Sequence, residues 1–268
     1  MAKEIALVYM AAGLSKRFGG RIKGLVEINN GKTFIEYSLA QAFPAGFSKI
    51  IFIVSQATID PFKEHLGKSH KGIPLFYALQ SYDSDTRSKP WGTADALCSA
   101  RKFLNCPLVV CNSDDLYGAR AFSTLIEHLR KNTDSAAVGY KLSDNIPDAG
   151  AVNRGIFKTD SEGYVSAIDE VLGIVKNSLS EKNLNGEELC SMNIFASQLN
   201  DVELLHERVK VFKEQHAEDK TMECYLPIEL CSLISEKAVR MKVYPVSEKT
   251  LGITNPGDEE DVRKALAE

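Results

Sequence analysis

The stretch EIALVYMAAGLSKRFGGRIKGL, Glu4 to Leu25, runs a short apolar segment straight into a basic, glycine-rich loop. Between Met10 and Leu25 it holds four glycines and four cationic side chains. In an open parallel sheet, ligands bind beyond the carboxyl ends of strands, and this loop stands at such an end. Small residues let backbone N–H groups approach phosphate oxygens, and cations neutralise them. The alternative is a solvated basic turn. Two familiar phosphate loops are excluded. The dinucleotide fingerprint fails because Ser15 and Phe18 stand where glycines are required. A Walker A loop fails because the Gly31–Thr33 GKT would need a glycine at Val26 and has no strand before it. That segment reads as a turn and a helix start.

Working outward, KIIFIVS (49–55), LFYALQ (75–80), PLVVCNSDD (107–115) and SAAVGYKL (135–142) read as further buried strands. Between them, TFIEYSLAQAF (33–43) places Phe34, Ile35, Leu39 and Phe43 at helical spacing, and ARAFSTLIEHLRK (119–131) is helical too. GTADALCSARKFL (92–104) places Ala96, Leu97, Ala100, Phe103 and Leu104 on one helical face. Near-continuous apolar strands alternating with amphipathic helices predict an α/β fold: a mostly parallel sheet with helices on both faces. The second half is less regular. YVSAIDEV (164–171) and LCSMNIFAS (189–197) read as strands, and AVRMKVYPV (238–246) as a strand that ends at its proline. Residues 201–216 and 227–237 read as helices. So does the terminal segment, with Pro256 at its start and acids at 258–261 in its first turn. The sheet is therefore expected to be mixed, its last part building a second wall over a ligand site.

The chain has 268 residues, and no Pro/Gly/Ser-rich linker or repeat divides it. One domain over 1–268 is expected, with a regular half to about 140 and a less regular half from about 141. The hydrophobic share of 44% and charged share of 25% are those of an ordinary globular protein. A net charge of -4 argues against nucleic acid as a partner, but permits a local basic pocket for a small anion. None of the six cysteines forms a C-x-x-C pair, which points to buried thiols in a reducing cytosol and gives no zinc site. The N-terminus turns polar too soon for a signal peptide or a membrane span, so a cytoplasmic protein is expected. The histidines, at 65, 70, 128, 206 and 216, fall in or beside helical and polar stretches and read as surface residues.

Three further features cluster at strand ends. CNSDDLYG (111–118) closes an apolar strand with two acids. Carboxylates beside a phosphate ligand suit Mg²⁺, which prefers oxygen donors and keeps several waters. The alternative is an Asx-type turn with Asp115 in solvent. KPWGTADAL (89–97) puts Gly92 and Thr93 at a helix start, where N–H donors are free. Thr93 reads equally as a plain cap, and Trp91 as packing rather than base stacking. Gln80 ends the third strand with a flat amide suited to a base edge, or else faces solvent. Each feature is modest alone, but together they outline one pocket.

With these residues in place, the sequence resembles the nucleotidyltransferases of GT-A-like, sugar-phosphate type. MAAGLSKRFGGRIKGL is similar to their L-A-A-G-x-G/S-x-R-x…K signature, and PWGTADAL to their G-T-A-x-A segment. CNSDDLYG resembles the strand that ends in the metal-binding Asp. GAVNRGIF, SAIDE, SMNIF and GITNPGDEEDV follow in the family's order. The resemblance implies a three-layer α/β/α, Rossmann-like mixed sheet. It implies backbone contacts to the nucleotide from Ala11, Ala12 and Gly13, and phosphate contacts from Arg17 and Lys23. Gln80 would read the base together with the backbone at Gly92 and Thr93, a tilt towards a pyrimidine. Asp114, with Asp115, would hold Mg²⁺. Tyr117, Gly150, Asn153, Glu170 and Asn193 would face the acceptor. Two departures stand out. Val171 follows Glu170 where relatives often carry Lys, and Gly252 stands where a second metal-binding acid often falls. Lys176, Arg154 or Asn193 are the available substitutes on the acceptor side.

The expected reaction moves an NMP from an NTP to a phosphorylated acceptor and releases pyrophosphate. A phosphate monoester is largely a dianion at neutral pH, so no general base is required. Two rivals remain at this point: a glycosyltransferase of similar fold using a nucleotide-sugar, and a non-catalytic nucleotide sensor.

Overall fold

A computed structural model describes residues 3–14, 19–147, 150–253 and 257–267. Arg17 lies outside the described residues, as do Pro256 and two residues before Gly150. In chain order the elements are β1 (Ala6–Met10), β2 (Glu27–Asn29), β3 (Lys32–Thr33), α1 (Phe34–Ala42), β4 (Lys49–Val54), α2 (Ile59–Leu66), β5 (Ser69–His70) and β6 (Ile73–Leu79). Then follow α3 (Thr93–Ser99), β7 (Leu108–Asn112), β8 (Asp115–Leu116), α4 (Ala119–Lys131), β9 (Ser135–Lys141), β10 (Val152–Thr159) and β11 (Val165–Ile174). The chain ends with β12 (Leu189–Ser191), β13 (Phe195–Ser197), α5 (Leu199–Gln215), α6 (Leu226–Ser235), β14 (Met241–Val246), β15 (Leu251–Gly252) and α7 (Asp258–Ala265).

The main sheet runs β11-β10-β12-β9-β13-β7-β1-β4-β6-β5, with β14 added beside β9. Its centre, β7-β1-β4-β6, is parallel. β13 then lies antiparallel between β7 and β9, and β10 and β11 form an antiparallel pair at the far edge. Successive side chains of the central strands go to opposite faces. Leu7 and Tyr9 meet Ile35 and Leu39 of α1, Phe62 of α2, and Phe122 and Leu125 of α4. Ala6 and Val8 meet Leu97 of α3, Leu205 of α5 and Leu230 of α6. The expected sandwich of a mixed sheet between helices is therefore the fold. On the first face, the registered residues Tyr9, Phe52 and Tyr77 stack across three strands at 5.3 and 5.8 Å.

The GKT segment is a turn and helix start. Asn30 and Gly31, at φ 54° and 73°, close the β2–β3 hairpin. Thr33 and Glu36 then form a capping box on α1, with Thr33 N–H donating to Glu36 Oε2 at 2.8 Å.

Three segments depart from expectation. LCSMNIFAS is two strands, because Asn193 takes φ 59° and breaks the ladder between β12 and β13. The helix expected over 92–104 stops at Ser99 and gives way to a 3-10 turn at Arg101–Phe103, just ahead of Pro107 and β7. β14 runs through Pro245 to Val246. It pairs in a ladder with β9 alone, so a missing N–H on its other side breaks nothing there.

Candidate active site

The registers bring the carboxyl ends of β1, β4, β6 and β7 side by side. The segments that follow them shape two hollows with a common wall of Met10, Thr93 and Asn112. The first, about 310 Å³, is lined by Ala12, Gly13, Gln80, Gly92 and Glu223 among others. The second, about 520 Å³, is lined by Asn153, Glu170, Leu172, Asn193 and Tyr225 among others. The structure thus gathers most of the expected nucleotide residues, Ala11 excepted, at one end of a cleft and most of the expected acceptor residues at the other. A third hollow, edged by Arg21, Glu259 and Arg263, holds none of the expected residues, and Arg21 pairs with Glu259 at 3.6 Å.

Around the first hollow the backbone roles are uneven. Ala11 is buried, its N–H donates to the Ile53 carbonyl at 2.8 Å, and its carbonyl accepts from Thr58 Oγ1 at 3.0 Å. Both of its polar groups are thus spent on the protein, which leaves Ala12 and Gly13 to face a ligand. A Cβ at Gly13 would meet nothing within 4 Å, so the space beside it is open. Gly92 has a different reason to be glycine. At φ 95°, a Cβ there would lie 2.5 Å from the Cys224 carbonyl oxygen. Cys224 N–H donates to the Trp91 carbonyl, and Ala94 N–H donates back to the Cys224 carbonyl. The Thr93 hydroxyl accepts the Leu226 N–H at 2.8 Å, so it caps the start of α6 rather than its own helix. Trp91 is a packing residue, with the Arg87 guanidinium 3.3 Å from its ring centroid. Arg87 is buried and also donates to the Asp219 and Met222 carbonyls, tying this loop to the segment before α6. Gln80 is buried, and its Nε2 donates to the Gly92 carbonyl and to Asp95 Oδ2, each at 3.1 Å. A bidentate grip on a base is therefore closed to it, and only Oε1 remains.

The basic loop packs against the end of β7 through Gly24. A Cβ on Gly24 would lie 3.2 Å from the Ser113 carbonyl oxygen and 3.3 Å from Phe62, a tight fit that glycine relieves where the loop meets the strand end. Lys23 then stands 3.0 Å from Asp114 Oδ2. Asp115 faces the other way. Its Oδ2 accepts from Asn112 Nδ2 at 2.9 Å, and the Tyr117 hydroxyl lies 3.4 Å away. Its Oδ1 sits where a side chain at position 252 would begin, since a Cβ on Gly252 would stand 2.5 Å from it. The glycine in place of a late acid thus has a steric cause. Burial, and next the charge of Asp114, push the Asp115 carboxyl above the usual carboxylate range.

Tyr117 corrects its sequence reading. It is fully buried, accepts the Asn112 N–H at 3.0 Å and donates to the Met192 carbonyl at 3.0 Å. It braces the cleft from behind and does not line it. Gly150 is exposed at φ 92° and lines neither hollow. On β11 the alternation sends Glu170 and Leu172 to the second hollow and Val171 to the core, so a lysine at 171 would point into apolar packing. Asn153 lines the same hollow, its Oδ1 accepting the Gly173 N–H at 2.9 Å. Arg154 donates to the Asn145 carbonyl, and Lys176 also has a partner. His128 is a second correction. It is buried, with Nδ1 2.9 Å from the Tyr244 hydroxyl, and serves α4 packing rather than the surface.

The donor set fits a hard divalent cation at Asp114. The carboxylate is one-third exposed, a cationic Lys23 already stands on Oδ2, and no described residue donates to Oδ1. Asp115 fits less well, because its Oδ2 already accepts from Asn112 Nδ2 and its Oδ1 lies against position 252. Among the described residues no three His, Cys, Asp or Glu side chains gather as a metal-holding group. Mg²⁺ needs only one or two carboxylates when phosphates supply the rest.

Sequence reading overlooked Asn112, Tyr225, Glu223 and Asp95. Asn112 had a signal, the carboxyl end of an apolar strand. Tyr225 and Glu223 had none, because they reach the cleft only through long-range packing.

The profile of the nucleotidyl transferase family matches residues 13–171, more than half of the chain. No curated protein sequence matches it. Two solved structures share the fold. The inositol-1-phosphate CTP transferase from T. maritima aligns with a TM-score of 0.69 at 15% identity, covering 100% of this chain and 96% of that one. HddC from Yersinia pseudotuberculosis, complexed with GMP-PN, aligns with a TM-score of 0.64 at 17% identity, covering 99% of this chain and 100% of that one. The profile match and the cleft at the carboxyl ends of the parallel strands agree: this chain belongs to the nucleotidyl transferase family and is a nucleotidyltransferase.

Proposed function

We propose that the enzyme moves an NMP from an NTP to a phosphorylated acceptor, a sugar phosphate or a related polyol phosphate, and releases pyrophosphate. The observation that carries this reading is the cleft itself, two hollows with one shared wall. It offers room for two substrates whose reacting ends would meet near Asn112, at the end of the strand that leads to Asp114 and its partner Lys23. The name of one solved neighbour, an inositol-1-phosphate CTP transferase, supports the acceptor class. The two halves of the chain would act as one unit, since each supplies one end of the cleft. We place the enzyme in the cytoplasm, a reducing compartment that suits its six free cysteines.

In this reading the nucleotide enters the first hollow, its base towards Gln80 and its phosphates past Gly13 towards Lys23. Lys23 leaves Asp114 for the phosphates, and Arg17 joins it. Asp114 is then free to hold Mg²⁺, which supplies charge neutralisation on the phosphates when bound. Asn153, Glu170 and Asn193 orient the acceptor so that its phosphate attacks the α-phosphorus in line. The dianionic phosphate needs no base, so the protein's part is positioning and electrostatics.

A pyrophosphate-release screen with Mg²⁺ tests this, crossing the four common NTPs with sugar 1-phosphates, inositol phosphate and phosphocholine. Release with one NTP and one acceptor class is expected. NTP binding without release across the panel would identify a sensor instead, and transfer from a nucleotide-sugar would identify a glycosyltransferase.

A further inference from the structure

Gln80 presents the cleft with a fixed polarity. One end of its amide lies 3.1 Å from two groups, the Gly92 carbonyl and Asp95 Oδ2. A carbonyl oxygen and a carboxylate only accept hydrogen bonds, so the NH₂ must be the end that meets them. Rotating the amide by half a turn would set an oxygen against both and lose two hydrogen bonds in a buried place. Asp95 is itself paired with Lys213, whose Nζ lies 2.5 Å from Oδ1. Lys213 comes from α5, more than a hundred residues along the chain, and also lies 5.8 Å from the Trp91 ring centroid. The remaining atom, Gln80 Oε1, has no donor among the described residues, and Gln80 lines the first hollow.

We infer that Asp95, clamped by Lys213, is a specificity-determining positioning residue: it forces Gln80 to offer the cleft a hydrogen-bond acceptor, so the nucleotide taken is one whose base edge donates an N–H at that point. This rests on the reading of the first hollow as the base site. Gln80 is the residue that touches the base, and Asp95 and Lys213 act through it. An amide free to turn would serve donor and acceptor edges alike. One locked by two acceptors and a cation serves only one, and a wrong edge leaves a buried polar group unpaired.

The test is equilibrium binding of CTP, UTP, ATP and GTP, each with Mg²⁺, to the full chain and to two variants. Asp95→Asn keeps the shape but can give Gln80 Oε1 an N–H to face, so only the Gly92 carbonyl still opposes the turned amide. The ratio of worst to best Kd is expected to shrink about tenfold, the scale of one good base contact. Lys213→Met changes a side chain that is one-third exposed, so the fold should hold even if Asp95→Asn does not. It is expected to shrink the ratio about threefold by loosening Asp95, well inside the range of one base contact. An unchanged ratio in whichever variant folds, or an equal loss for all four nucleotides, overturns the inference and leaves the transferase reading standing. If the unaltered chain binds none of the four, the base-site reading falls and this inference falls with it.

Discussion

The two ends of the cleft are built on unlike strands. β1 and β4 are buried along nearly their whole length, whereas β10 and β11 alternate through half-buried and exposed positions. The parallel end therefore takes its loops wherever a close-packed core puts them. Its functional residues sit on elements that cannot shift without losing buried area. The antiparallel end hangs Glu170 and Leu172 on an edge strand whose outer face costs little to change. In the proposed reading, nucleotide handling is tied to the fold, and acceptor choice is not.

The largest expected effect would break or uphold that contrast directly. Phe52 is fully buried in the Tyr9–Phe52–Tyr77 stack and touches Phe62 as well. Phe52→Ala should cost roughly 3–5 kcal/mol of stability in urea unfolding. Leu172→Ala, at a side chain 60% exposed, should stay within about 0.5 kcal/mol. Similar losses at both sites would end the distinction between the two ends.

Next comes the Lys23–Asp114 pair, which sharpens the comparison from the chemical side. Lys23→Ala and Asp114→Ala should each raise the barrier by about 3–4 kcal/mol, a hundredfold or more in turnover. The pair is partly exposed, so each variant should keep its cooperative melt. Turnover near normal in either variant would remove that residue from the mechanism.

The smallest effect lies at the start of α1, again on the parallel side. Burial alone would raise the Glu36 carboxyl, but hydrogen bonds from Thr33 and His65 hold it below its ordinary value. Glu36 therefore ionises more readily in the folded chain than in the unfolded one. Its contribution is complete above the ordinary Glu pKa and disappears as pH falls through the folded value. Glu36→Gln should cost about 1 kcal/mol near neutral pH, the size of a lost cap, and the difference should vanish in acid. Melting curves at a series of pH values would show it. A difference that persists unchanged in acid would mean the carboxylate is not what holds the helix start.

Much of this was legible in the chain before any coordinates. The central strands declare themselves because each is a short apolar run that both faces of a sheet must bury. The loop after β1 does so because glycine and cation together have few structural uses. The ends of β6 and β7, and the start of α3, were marked by polar residues closing apolar runs. Family resemblance alone places Tyr117 on the acceptor side, while its partners, Asn112 and Met192, are brought together only by β7 and the bend after β12. The surroundings of Asp115 were no more legible, since its Oδ1 lies against Gly252 from the other end of the chain.

Local pattern thus determined the layers, the family and the neighbourhood of the cleft, since periodicity and turn chemistry act over a few residues. Tertiary structure decided which of those residues face a ligand. Ala11 is spent on Ile53 and Thr58, Gly92 makes way for Cys224, Val171 turns to the core, and Gln80 is oriented by Asp95 and Lys213. Each of these depends on a partner that arrives from elsewhere in the chain or from the opposite face of a strand. A polar group's role follows from what already satisfies it, and only the folded chain supplies that.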